Sequence, residues 1–98
     1  MAKITLNISA TAVEFSGELT RHSIMQITKK NIKELLLPSF RTLDLAKVTR
    51  IDTAGLAWLF YLLEQANLDD CQLSFANIPT KLDKLIGLSG VEGFLPVK

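Results

Sequence analysis

Hydrophobic and polar residues alternate in two short runs near the start of the chain. Ile4, Leu6 and Ile8 are separated by Thr5 and Asn7, and Val13 and Phe15 sit among Ala12, Glu14 and Ser16. A period of two over such lengths predicts half-buried strands, here joined at Ser9-Ala10-Thr11 as a hairpin. Gly17 is the expected end of the second strand. From about Thr20 to Leu37 the period lengthens, with Ile24, Ile27, Ile32, Leu35 and Leu36 recurring at steps of three and four, until Pro38 stops the helix. Thr28 and Asn31 are poor residues for a helix interior, so the pattern predicts a helix that is bent or broken in its middle. Arg41 to Lys47 reads as a third strand with Leu43 and Leu45 on one face. An apolar helix follows from about Ala54 to Asn67, then a fourth strand from Gln72 to Asn77 with Leu73 and Phe75 inward. Pro79 suits a first helical position. Leu82, Leu85 and Ile86 then give a short amphipathic helix closed by Gly87 and Gly90, with Phe94 and Leu95 packing back.

The predicted order is ββαβαβα. Strands separated by helices favour parallel neighbours, and the first hairpin adds an antiparallel pair. The fold class is α/β: a mixed four-stranded sheet with flanking helices, forming a single domain over 1–98. With 48% hydrophobic residues the chain can bury a core without staples, and its single Cys71 permits no internal disulfide. Eleven basic against ten acidic residues, interspersed, give no broad field for nucleic acid. Lys29, Lys30 and Lys33 form a small basic cluster, expected as a solvated helix face because membrane-binding clusters use about four or more such charges. No signal peptide is recognisable, and the apolar run from Gly55 to Leu63 is far shorter than the ~20 residues of a membrane span. A cytoplasmic protein reaching a membrane only through a partner is expected.

The most informative segment is Arg50-Ile51-Asp52-Thr53-Ala54-Gly55-Leu56-Ala57. It places a hydroxyl among small residues at the start of a helix, where backbone N–H groups are unpaired and negative charge is favoured. Asp52 or Thr53 can cap the helix; alternatively Thr53 is a functional hydroxyl, open to phosphorylation or to a partner. At about 100° per residue, Leu56, Leu59, Phe60 and Leu63 share one face, read as core. The remaining sides carry Ala54, Ala57, Trp58, Tyr61 and Leu62, where charge would be usual. Two readings follow: Trp58 and Tyr61 lie under another part of the chain, such as the tail around Phe94, or they form an exposed apolar patch for a partner protein.

Chemistry beyond this is sparse. His22 is read as a surface or capping residue, since no nucleophile is tied to it, and Cys71 as an idle or buried thiol. No metal-ligand spacing joins Asp44, Asp52, Asp69 and Asp70, and no phosphate-binding glycine loop occurs, so no cofactor, no metal and no enzymatic activity are expected.

Ser16-Gly17-Glu18-Leu19, Leu43-Asp44-Leu45 and Ile51-Asp52-Thr53-Ala54-Gly55-Leu56-Ala57 resemble the STAS domain family, in order and spacing over nearly the whole chain. The resemblance implies a mixed sheet flanked by helices and a partner surface at the start of the second long helix. It implies partner binding through Thr53, Ala54, Ala57, Trp58 and Tyr61, with Asp52 at the helix start. Within the family, Thr53 followed by Gly-Leu-Ala after one residue looks most like the small subunit of the Mla phospholipid-transport ABC system of Gram-negative bacteria. That subunit binds the cytoplasmic ATPase, and through it a permease, at the inner membrane. Ala54 departs from the Ser or Gly expected in relatives. The alternative is an anti-sigma factor antagonist, partnered by an anti-sigma factor kinase and switched by phosphorylation of Thr53. The single-domain length argues against a fused transporter tail.

Overall fold

The computed structural model describes residues 3–9, 12–90, 93, 95 and 96. Strand β1 (Ile4–Ile8) pairs antiparallel with β2 (Ala12–Leu19), closing the expected hairpin. A single 3-10 turn (Ile24–Gln26) and helix α1 (Lys29–Leu35) lead to β3 (Phe40–Ile51), which lies parallel to β2. Helix α2 (Thr53–Leu68), strand β4 (Gln72–Ala76), parallel to β3, and helix α3 (Thr80–Ser89) complete the order. The sheet order is β1-β2-β3-β4, mixed as expected.

The alternation read from the sequence decides which sheet face is covered. Val13, Phe15, Leu43, Leu45, Leu73 and Phe75 are buried in one core with α2 residues Leu59 and Leu62 and α3 residues Leu82 and Ile86. The other face of the same strands carries Thr5, Glu14, Thr42, Asp44 and Ser74, none of them buried. Its links are polar: the Thr42 and Ser74 hydroxyls lie 3.4 Å apart, and Asn77 Nδ2 donates to Asp44 at 2.9 Å. A Lys47–Glu14 ion pair at 3.2 Å also lies in solvent, where such pairs contribute little.

The long helix expected over 20–37 is broken at Thr28, for a local reason. The Thr28 hydroxyl accepts from the Asn31 N–H at 3.1 Å and the Asn31 side chain accepts from the Thr28 N–H at 3.0 Å, a reciprocal cap that starts α1 afresh. Two strand ends differ from expectation. Gly17 does not end β2: it takes φ +105°, and the strand continues to Leu19 across two irregularities in its register with β3. β3 likewise runs past Lys47 to Ile51, because the second half of β2 stays alongside to pair with it. At the far end Pro79 is the cap residue rather than the first helical one. Gly87 lies within α3, and only Gly90, in the left-handed conformation, closes it. Leu95 packs into the core and the Phe75 N–H donates to the Pro96 carbonyl at 2.9 Å, so that part of the tail returns to β4 as expected. Phe94 lies outside the described residues.

Candidate functional site at the start of the second long helix

The chain passes from β3 into α2 through Asp52, and this residue does more than end a strand. Its Oδ1 accepts from the Gly55 N–H at 2.8 Å, filling one of the unpaired donors of the helix start. Its Oδ2 accepts from the Arg21 N–H at 3.1 Å, thirty-one residues away, in the turn after β2. Partial burial pushes the carboxyl upward. The N–H groups of Arg21, Gly55 and Ala54 and the Arg21 charge outweigh that, holding Asp52 below its ordinary value. The turn that Asp52 reaches is itself pinned by fully buried Ser23, whose hydroxyl donates to the Glu18 carbonyl at 2.6 Å and accepts from the Thr20 N–H at 2.9 Å. Capping therefore falls to Asp52, and Thr53 stands free of that duty: its side chain is exposed and makes no hydrogen bond among the described residues.

Gly55 sets how α2 lies on the sheet. A Cβ there would overlap the Leu19 carbonyl and press on Ile51, so only a bare α-carbon lets the first turn sit against the ends of β2 and β3. The helix consequently buries Gly55, Leu56, Trp58, Leu59, Leu62 and Ala66. This face is turned by roughly 80° from the one predicted through Leu56, Leu59, Phe60 and Leu63, at 100° per residue. Phe60 and Leu63 are only half-buried.

The rotation rules out the exposed-patch reading for Trp58. It is 8% exposed and its ring lies 5.9 Å from that of Phe15, tilted by 47°, so it belongs to the core and cannot be a surface anchor of the patch. The rest of the set stays together at the surface. Thr53, Ala57 and Tyr61 are exposed at successive four-residue steps, and Ala54 beside them is half-exposed. Tyr61 is 43% exposed, and Leu68 continues the stripe two turns on at 70%. Thr53 thus begins a ridge with small side chains at one end and apolar bulk at the other. Tyr61 and Leu68 also line a groove of about 320 Å3 between α1 and α2, with Lys29, Ile32 and Lys33 opposite.

A family model described as "Mlab, STAS domain" matches residues 3–96. The chain belongs to the STAS domain family. No curated protein matches its sequence significantly. Among solved structures, this STAS domain is similar to the anti-sigma factor antagonist SpoIIAA in its unphosphorylated form. The TM-score is 0.72 at 15% identity, covering 97% of this chain and 87% of that one. It is also similar to the phosphorylated form of SpoIIAA, the Bacillus cell fate determinant, with a TM-score of 0.66 at 15% identity over 97% and 90%. These likenesses establish a shared STAS fold.

Outside the ridge, the remaining expectations are tested by burial. Cys71 is buried, and burial pushes its thiol upward, against a thiolate. His22 is exposed. The reading of the sequence overlooked Arg41, which is 4% exposed. Its Nε donates to the Leu35 carbonyl at 2.8 Å and its Nη1 to that of Ser9 at 2.7 Å, joining the end of α1 to the hairpin. The only hint was its place: Arg41 shares the inward alternation of Leu43 and Leu45. Among the described residues no group of His, Cys, Asp and Glu side chains could hold a metal, and no helix is long and apolar enough to cross a membrane.

Proposed function

We propose that this STAS domain is a non-catalytic subunit that binds the cytoplasmic ATPase of an ABC transporter for phospholipid trafficking. It would thereby sit at the inner membrane of a Gram-negative bacterium, joined through the ATPase to a permease, and support outer-membrane lipid asymmetry. The observation carrying this reading is the match of residues 3–96 to the family model described as Mlab. The exposed Thr53-Ala57-Tyr61 ridge supplies a surface for the partner. Its small end admits close approach of a partner backbone, and Tyr61 offers ring area with a polar tip, a combination frequent in binding hot spots. Trp58 contributes from beneath, by holding α2 on the sheet.

A second reading, an anti-sigma factor antagonist partnered by a kinase, is favoured by the likeness to SpoIIAA, a protein solved with and without phosphate. A phosphate on Thr53 would place close to two negative charges next to the Asp52 carboxylate, which already occupies the helix start, so repulsion would be its effect.

The test is Thr53→Ala in cells, combined with purification of the tagged protein from membranes. The transporter reading expects the wild type to bring down an ABC ATPase and Thr53→Ala to weaken the complex, with an outer-membrane permeability defect. Thr53→Ser should largely substitute, because it keeps the hydroxyl. Stoichiometric phosphothreonine at position 53, or a constitutively active Thr53→Ala variant, would promote the antagonist instead.

A further inference from the structure

The groove between α1 and α2 holds features that the fold does not explain. Lys29 and Lys33 lie one turn apart on α1 and both line it, with Ile32 between them and Tyr61, Gln65 and Leu68 on the opposite wall. It continues past Lys33 and Asp69 into a second depression beside Leu36 and Leu37. Leu68 is 70% exposed and Leu37 80%, so the two large apolar side chains flanking the groove lie largely in solvent. Neither lysine makes an ion pair among the described residues, where the sole such pair is Lys47–Glu14. The position of Lys29 is also locally unfavourable. Lys29 and Lys30 open α1, whose first turn contains no acid, so positive charge sits at the positive end of the helix. Asp69 is the one carboxylate lining the two depressions, against two lysines.

We propose that this groove receives an acidic amphipathic helical segment of a partner protein. The lysines specify the acidic side: carboxylates placed over Lys29 and Lys33 would pair two cations that have no ion-pair partner among the described residues, and the one over Lys29 would also relieve positive charge at the start of α1. Ile32, Tyr61 and Leu68 specify the apolar side, taking side chains spaced one turn apart. Helix walls specify a helix over a strand, because neither wall has the unpaired backbone groups that an added strand would need. The proposal rests on the reading of this domain as a partner-binding subunit and adds a second contact, at the far end of the same ridge from Thr53.

The probe is a fluorescein-labelled amphipathic peptide with Leu at helical spacing and Glu on its polar face, followed by fluorescence anisotropy with the full chain. Saturable binding is expected, weakened at least tenfold by Lys29→Glu/Lys33→Glu or by Leu68→Asp and unchanged by Thr53→Ala. A peptide with Lys in place of Glu should prefer the doubly substituted protein. All four altered side chains are exposed, and circular dichroism melting will confirm folding. Absent binding, or binding indifferent to the charge reversal, overturns the proposal. So does a self-association abolished by Leu68→Asp, which would make the groove an interface between copies. Sedimentation with phosphatidylglycerol vesicles that needs Lys29 and Lys33 would make it a lipid surface and overturns it too. Capture of the ABC ATPase by the Lys29→Glu/Lys33→Glu variant at wild-type strength would sink the groove contact alone. Failure of the wild type to capture it would sink the transporter reading.

Discussion

Helices α1 and α2 face each other across one groove and both begin on a side-chain cap, yet the two caps reach very different distances. Thr28 and Asn31 satisfy each other within a single turn, and nothing beyond α1 takes part. Asp52 caps α2 with one oxygen and holds the turn after β2 with the other. Below it, Gly55 lets the helix lie close to the Leu19 carbonyl and Trp58 packs its ring, tilted, beside Phe15. The start of α1 is a local solution to unpaired N–H groups. The start of α2 is a junction where a strand, a turn and a helix are fixed at once. A hydroxyl mounted on a junction is held in place, as a site needs; a hydroxyl in a local cap has its bonding already spent.

The strongest way to break this comparison is to remove the anchor beneath α2. Trp58→Ala should cost about 3–5 kcal/mol of stability, as expected for emptying a buried aromatic site, measured by urea unfolding. A loss below about 1 kcal/mol would mean that α2 does not depend on this contact. Partner capture should fall only as far as the folded fraction falls, which separates an anchor from a binding residue.

A smaller effect compares the caps directly. Asp52→Ala should cost about 1–2 kcal/mol, at the upper end of cap losses because a long-range bond goes with it, and Thr28→Ala about 0.5–1 kcal/mol. Equal losses would erase the distinction between junction and local cap. Hydrogen exchange should show the turn around Arg21 loosened by Asp52→Ala and untouched by Thr28→Ala.

The smallest effect is in pH. Asp52 titrates below its ordinary value of 3.8 in the folded protein. Its contribution is therefore fully present above that value and is lost as pH falls through the lower, folded one. The stability difference between wild type and Asp52→Asn should shrink on acidification from just above pH 3.8 downward. The Thr28→Ala difference, which involves no titrating group, should stay level over the same window.

Alternation made the sheet legible from sequence: β1 and β4 fall where Ile4-Leu6-Ile8 and Leu73-Phe75 put them. The second halves of β2 and β3 were not legible. Their pairing passes two register irregularities and a glycine at positive φ, which break the period on which such a reading depends. The position of Thr53 was readable from its neighbours, but the orientation of Trp58 was not. A count of apolar positions gives Gly55 no weight, whereas in the folded chain only the absence of a side chain there lets the helix lie against Leu19 and Ile51. Arg41 was hidden for the opposite reason: a charged residue in a core position looks like an error until its carbonyl partners are seen.

Arg41 also bears on how the molecule comes apart. It stands near the beginning of β3, and its guanidinium holds carbonyls from the last turn of α1 and from the residue after β1. If either segment peeled away alone, buried guanidinium donors would lose their acceptors with little water at hand to replace them, and so partial opening is penalised. The hairpin and α1 should therefore unfold as one cooperative unit, with exchange rates for their slowest amides converging on a common value. A single side chain in this way converts three neighbouring pieces of chain into one mechanical part.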